Sequence, residues 1–253
     1  DGGVLFNKTK TALIQCPAKR FGVYVVPPGV TNLGNSAFHG CSVTGVTLSA
    51  SVSGFGTYAF VSTNLIAISV DESNPNYCSD GGVLFDKTKT SLLRYPNGRT
   101  GTYAIPSGVT CIGAYAFNEC RRIASVVIPP SVTGMQEYAF GWCYSLTNVT
   151  VPSSIKNLPD RAFYSSALPD LPALSSVTNI GGFAFGRCDE LTVITIPSNI
   201  VSIADQAFWK CAGLTSIAFS DDMVRIGAKA FEDCSKLARA DFLGNAPSMG
   251  SSV

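Results

Sequence analysis

Histidine is almost missing from this chain: His39 is the single imidazole in 253 residues. A Ser-His-Asp triad, a Cys-His pair or a His-containing metal cluster would have to draw on that one group. It sits between Phe38 and Gly40 and reads as an ordinary turn residue. Charge is scarce as well. Charged residues make up 14% of the chain, against about 25% in an average soluble domain. Ser, Thr, Asn, Gly and Pro must therefore cover much of the surface. The 18 basic and 17 acidic residues leave a net charge of +1, and no basic cluster exceeds Arg121-Arg122 or Lys19-Arg20. Nucleic-acid binding leans on a basic face, and the chain lacks one. No apolar stretch reaches the roughly 18 residues of a membrane span, so membrane insertion is not expected. The chain opens on Asp1-Gly2-Gly3 without a signal peptide, and reads as a mature or excised fragment.

What the chain has in abundance is repetition. Ala-Phe occurs at 37–38, 59–60, 116–117, 139–140, 162–163, 184–185, 207–208 and 230–231, in steps of 22, 57, 23, 23, 22, 23 and 23. Each unit has the same apolar skeleton. Leu191 is followed by Ile194, Ile196, Ile200, Ile203 and Ala207-Phe208; Leu214 by Ile217, Phe219, Met223, Ile226 and Ala230-Phe231. The stretch from Leu168 fits with Leu171, Ala173, Val177, Ile180 and Ala184-Phe185. Alternation such as Val149-Thr150-Val151 marks a short half-buried strand. Pro129, Pro152 and Pro197 follow directly and stop it, because proline has no ladder donor. One coil cannot bury its own apolar side, so neighbours must stack. Strands near 46–48, 126–128, 149–151, 194–196 and 217–219 are expected side by side in one parallel sheet.

A longer period lies above this one. The segment from Asp1 to Thr11 recurs from Asp80 to Thr90, an offset of 79. An apolar step, a polar turn and a second apolar step form a β-hairpin signature. Hairpins are expected at about 1–16 and 80–96, inserted into a single domain spanning 1–253.

These units resemble the BspA-like (Treponema-type) leucine-rich repeat. The residues that carry the likeness are Leu191-Thr192, the strand to Ile196, Pro197-Ser198, and Ala207-Phe208 followed by Cys211, with the Ile-Gly step at Ile112-Gly113, Ile180-Gly181 and Ile226-Gly227. The closing Leu243-Gly244-Asn245-Ala246-Pro247 also looks like a variant of the family. Thr63 and Ser166 stand where the pattern has Cys, and the units from Val43 and Leu65 lack the Pro. The resemblance implies a right-handed leucine-rich-repeat solenoid, β-rich, with short 3-10 or turn segments on the convex side. It also implies a bacterial or protist surface protein that adheres to host or matrix proteins.

Candidate chemistry is thin. Cys41, Cys120, Cys143, Cys188, Cys211 and Cys234 each follow the Phe of an Ala-Phe pair by three residues. Equivalent positions in stacked coils lie roughly 4.8 Å apart with parallel side chains, which suits neither a disulfide nor the converging pairs of a zinc site. They read as a ladder of buried structural thiols. Cys16, Cys78 and Cys111 lie off the ladder, and a bridge between Cys16 and Cys78 stays open. Gly34-Asn35-Ser36-Ala37 lacks the second Gly of a nucleophile elbow. Asp1-Gly2-Gly3 and Asp80-Gly81-Gly82 read as Gly-rich turns. Asn7-Lys8-Thr9 and Asn148-Val149-Thr150 are glycosylation sequons that matter only in a eukaryotic host. No catalytic residue, metal site or cofactor is expected.

The outward positions of the strands are small and mostly uncharged. Asn148, Thr150, Asp170, Thr195, Ser216, Arg239 and Asp241 are candidates for a concave binding face, with Pro172 also outward. The other candidates are the two ends: the last strand, where Leu237, Ala240 and Phe242 have no full coil after them and so form an end-contact edge, and Phe21 to Val26, which has only the first hairpin to shield it. The partner expected is a protein, from a host or matrix or a second copy of the chain, or else a glycan. The place expected is outside the cell or at its surface. A structural segment that assembles end to end is the competing reading, and an enzyme with a site on the concave face the third.

Overall fold

The computed structural model describes residues 2–245 and 247–253. Asp1 of the first Asp-Gly-Gly turn and Ala246 of the closing segment lie outside the described residues. The chain winds into a β-solenoid of about ten turns. Among the described residues no helix forms, so the connecting segments are turns and not 3-10 helix.

Most coils carry two strands. The longer one lies on a broad face, and a two-residue one, such as Ser202–Ile203, runs back behind it. The broad face is not one sheet. Phe21–Val25, Ser42–Leu48 and Ala67–Val70 form one parallel set. Gly101–Ala104, Ile123–Val127 and Asn148–Thr150 form a second, and Val193–Thr195, Ser216–Phe219 and Arg239–Phe242 a third. The expected single sheet is thus corrected, and the breaks have causes. The first falls where Tyr77–Asp80, Val83–Asp86 and Ser91–Arg94 run as an antiparallel meander before rejoining the parallel stack at Cys111–Ile112. The second falls at the coil of Pro169 and Pro172, which forms no strand there; proline has no N–H to give a ladder. In that coil Pro172 and Leu174 are buried while Ala173 is exposed, so the inward set slips from the expected Leu171 and Ala173. At the start of the chain, Leu5–Phe6 pairs antiparallel with Ala12–Gln15, which then pairs parallel with Asn32–Leu33.

The repeated residues explain how coils lock together. In six of the eight Ala-Phe pairs, all but those of Phe60 and Phe231, the Phe N–H donates to the Ala carbonyl of the next coil, at 2.8 Å from Phe117 to Ala139, Phe140 to Ala162 and Phe208 to Ala230 alike. The rings stack into a spine: Phe140 to Phe163, Phe185 to Phe208 and Phe208 to Phe231 each lie 5.3 Å apart, within 12° of parallel. The Pro after a strand accepts the N–H three residues on, as in Ile155 to Pro152 at 3.0 Å, which closes the turn. Ladder thiols add a tie. The Sγ of Cys143, Cys211 and Cys234 each donates to a Phe carbonyl of the previous coil at 3.1 Å. All nine cysteines are free thiols, Cys16 and Cys78 included. Burial pushes Cys188 up to about 11, and raises Cys120 and Cys143 as well. In the coil of Phe60 the slot is filled by Ser62 and not by Thr63: Ser62 is buried and donates to the Cys41 carbonyl at 2.8 Å, while Thr63 is exposed.

The spine breaks once. Phe60 does not stack on Phe117; Tyr95 takes that place, 5.1 Å from Phe117. The core accordingly falls into two clusters that meet in the meander strand, where Leu84 joins one and Val83 and Phe85 the other. Arg94 is buried at this seam. Its Nη1 donates to the Tyr115 carbonyl, its Nε has no partner, and no acidic side chain pairs with it among the described residues. Desolvation pulls its guanidinium down to about 10.

Candidate functional site

The broken face divides the candidate residues into two groups. Asn148, Thr150 and Asp170 come together along a groove of about 310 Å³ beside the proline coil. All three are exposed, and Pro172 forms part of the groove wall. Thr195, Ser216, Arg239 and Asp241 lie on the third sheet. There Ser216 pairs with Arg239, and Ala218 lies between Thr195 and Asp241 in register. Arg239 Nε sits 2.7 Å from Asp241 Oδ2, and that hydrogen bond raises the Arg239 pKa. This pair neutralises itself, so the face offers contact area and hydrogen bonds with little net charge. Ser216 and Asp241 are half-buried.

The first sheet begins with the strand that only the hairpin was expected to shield, and it carries an outward apolar row. Phe21, Val23 and Val25 point outward and are 79%, 63% and 62% exposed, on an edge strand whose Tyr24 is buried. Beside them on the same face, Val23 packs over Gly45, where a Cβ would lie 3.1 Å from Val23 Cγ2. The signal was legible: Phe21 to Val26 is apolar at both parities, so one face had to be exposed wherever the other was buried.

At the far end, Phe242 stacks on Phe219 at 4.7 Å with its other side open. Leu237 is half-buried and Ala240 exposed, and with Phe231 they rim an apolar hollow of about 140 Å³. Ser248–Met249 pairs with Arg225–Ile226 and covers only the narrow-strand side.

A third surface runs along the turns. The residue before each Ala-Phe pair has a left-handed backbone, with φ of 53° to 59° at Tyr58, Tyr115, Tyr138, Arg161 and Phe183. That angle is uncommon outside glycine. Here it aims the N–H along the solenoid axis: Tyr138 donates to Asp160 at 3.2 Å and Arg161 to Gly182 at 2.8 Å. The side chains are thereby set in a column. Tyr115 stacks on Tyr138 at 5.0 Å, Tyr138 on Trp142 at 5.2 Å, and Trp142 meets Tyr164 edge-on at 5.3 Å. Tyr58 meets Tyr115 at 5.3 Å across the 57-residue gap. The repeat gives Tyr58 and Tyr115 the same position in their coils, but only the packing of those coils brings the two rings into contact.

Among the described residues no group of three or more His, Cys, Asp or Glu could hold a metal ion, and no helix is long and apolar enough to cross a membrane. His39 is exposed in its turn.

Comparison with known proteins fits this architecture. No curated protein matches the chain. A leucine-rich repeat protein from Eubacterium ventriosum is 25% identical over 88% of the chain and 57% of its own length, with a TM-score of 0.59. A leucine rich cell surface protein from Faecalibacterium prausnitzii is 27% identical over 88% of the chain and 60% of its own, also at 0.59. The leucine rich repeat protein of T. pallidum is 26% identical over 63% of the chain and 77% of its own, at 0.56. The chain therefore spans somewhat over half the length of the first two. The BspA type leucine rich repeat region matches in six copies over residues 19–92, 95–171 and 158–253, and the chain belongs to that family.

Proposed function

We propose that this chain is a non-catalytic binding or adhesion module that works outside the cell or at its surface and recognises a protein ligand. The observation that carries the reading is the outward row of Phe21, Val23 and Val25 on a flat sheet edge. Three large apolar side chains held in water by a rigid strand are a cost to a solitary protein and an anchor for a partner. The Asn148, Thr150 and Asp170 groove and the third sheet supply polar contacts farther along the same side. Similarity to a cell surface protein supports the location. The test is surface plasmon resonance over a panel of purified host and matrix proteins, with a glycan array alongside. Saturable binding of a panel protein, lost in Val23→Lys, is the expected result. Binding of glycans alone, or binding untouched by both Val23→Lys and Asp170→Lys, overturns it.

A second reading, self-association end to end, is favoured by the apolar hollow at Phe231, Leu237 and Phe242. A solenoid end exposes strand edges that invite pairing, and head-to-tail contacts of this kind propagate into filaments. Light scattering against concentration separates the two.

A further inference from the structure

The aromatic column ends in a cavity of about 240 Å³ lined by Ser36, His39, Tyr58, Val61, Glu119 and Trp142. These residues come from four coils, two on each side of the meander. Tyr58 and Trp142 supply aromatic surface and Glu119 a carboxylate. The Glu119 backbone is fixed: its φ is 62° and its N–H donates to the Gly141 carbonyl at 2.9 Å. Its Oε2 accepts from Arg121 Nε at 2.7 Å, and Oε1 has no partner among the described residues. Elsewhere on the same column the rings already seat the chain's own cations. Arg161 Cζ lies 5.3 Å from the Tyr138 ring and 4.7 Å from that of Phe183, and Lys210 Nζ lies 4.5 Å from Trp209. Over Tyr58 and Trp142 no Lys or Arg of the described chain is seated. Arg94 is within electrostatic reach of Tyr58 but is buried and turned to the Tyr115 carbonyl, outside the cavity.

We propose that this cavity takes a single lysine or arginine side chain of a protein partner. The rings receive the cation through their negative faces, Glu119 Oε1 accepts its N–H in a charge-assisted bond, and Val61 packs on the aliphatic stem. The volume fits one such head group and stem. The site lies apart from the Phe21, Val23 and Val25 row and does not depend on it.

The test uses the full chain with Trp209→Phe, so that Trp142 is the sole tryptophan. Its fluorescence is followed while N-acetyl-Gly-Lys-Gly-amide, the arginine peptide, the neutral norleucine peptide and methyl glucoside are added. A saturable change is expected for the lysine and arginine peptides, with Kd on the order of millimolar for one desolvated head group. The norleucine peptide should bind at least about tenfold more weakly, and Glu119→Gln should weaken the lysine peptide about tenfold. Arg121→Ala should tighten it severalfold by freeing the carboxylate, a gain that a purely structural role for Glu119 would not produce. Equal binding of norleucine, binding of the glucoside alone, no saturable change by about 50 mM, or no tightening in Arg121→Ala overturns the proposal. Failure of the matrix-protein panel would leave this peptide titration unaffected, so the two readings fail separately.

Discussion

Phe208→Ala tests the spine most directly. The ring is fully buried and stacked on both sides, 5.3 Å from Phe185 and 5.3 Å from Phe231. Deleting a buried ring costs roughly 3–5 kcal/mol in total, and the loss of two ring stacks places this site toward the upper part of that range. No neighbour can collapse into the space, because each coil is held to the next by the 2.8 Å bond from the Phe208 N–H to Ala230. The cost should therefore sit at about 4–5 kcal/mol. Phe231→Ala is the control. That ring stacks on Phe208 alone, meets Phe219 edge-on at 5.8 Å and is half-buried at the open end. Its loss should cost roughly 2 kcal/mol. Urea denaturation followed by far-ultraviolet circular dichroism measures both, with the m-value checking that the array unfolds as one unit. A cost below about 1 kcal/mol for Phe208→Ala, or equal costs for the two variants, would refute the continuous spine.

Cys211→Ala should cost on the order of 1 kcal/mol, and native ladder thiols should resist a thiol reagent until the chain unfolds. Because Cys188 is raised from 9.0 to about 11 in the folded chain, its contribution to stability is fully present below pH 9 and is lost as pH rises through about 11; an alkaline denaturation series in which Cys188→Ser flattens that loss checks the sign. Arg94→Met should leave stability within about 2 kcal/mol of the parent or raise it, since removing a desolvation cost of about 3 kcal/mol offsets a lost charge-assisted bond of roughly 1.5–3 kcal/mol; a larger loss in thermal melts would mean that the guanidinium has a counterion. Ala240→Lys should suppress any concentration-dependent association seen by light scattering, and association unchanged by that charge would remove the open end as its site.

The sequence alone determined whatever depends on spacing within one coil. Ala-Phe, the strand before Pro and the thiol three residues after Phe repeat because every coil must present the same residues to its neighbours, and that constraint prints a period of 22 or 23 on the chain. The stacked rings and the buried thiols were legible for this reason. Tertiary structure decided what depends on how coils meet. Prolines 169 and 172 were visible, but their splitting of the broad face follows from ladder bonds between coils, which no single coil contains. Ser62 in place of Thr63, and Pro172 and Leu174 in place of Leu171 and Ala173, are each slips of one residue. In an alternating strand such a slip exchanges inside for outside, and the apolar pattern tolerates either choice. The burial of Arg94 and the approach of Tyr58 to Tyr115 depend on where the meander returns the chain to the stack. That return brings together residues 57 apart in sequence; the repeat fixes their position within a coil, and only packing of coil on coil selects the neighbour.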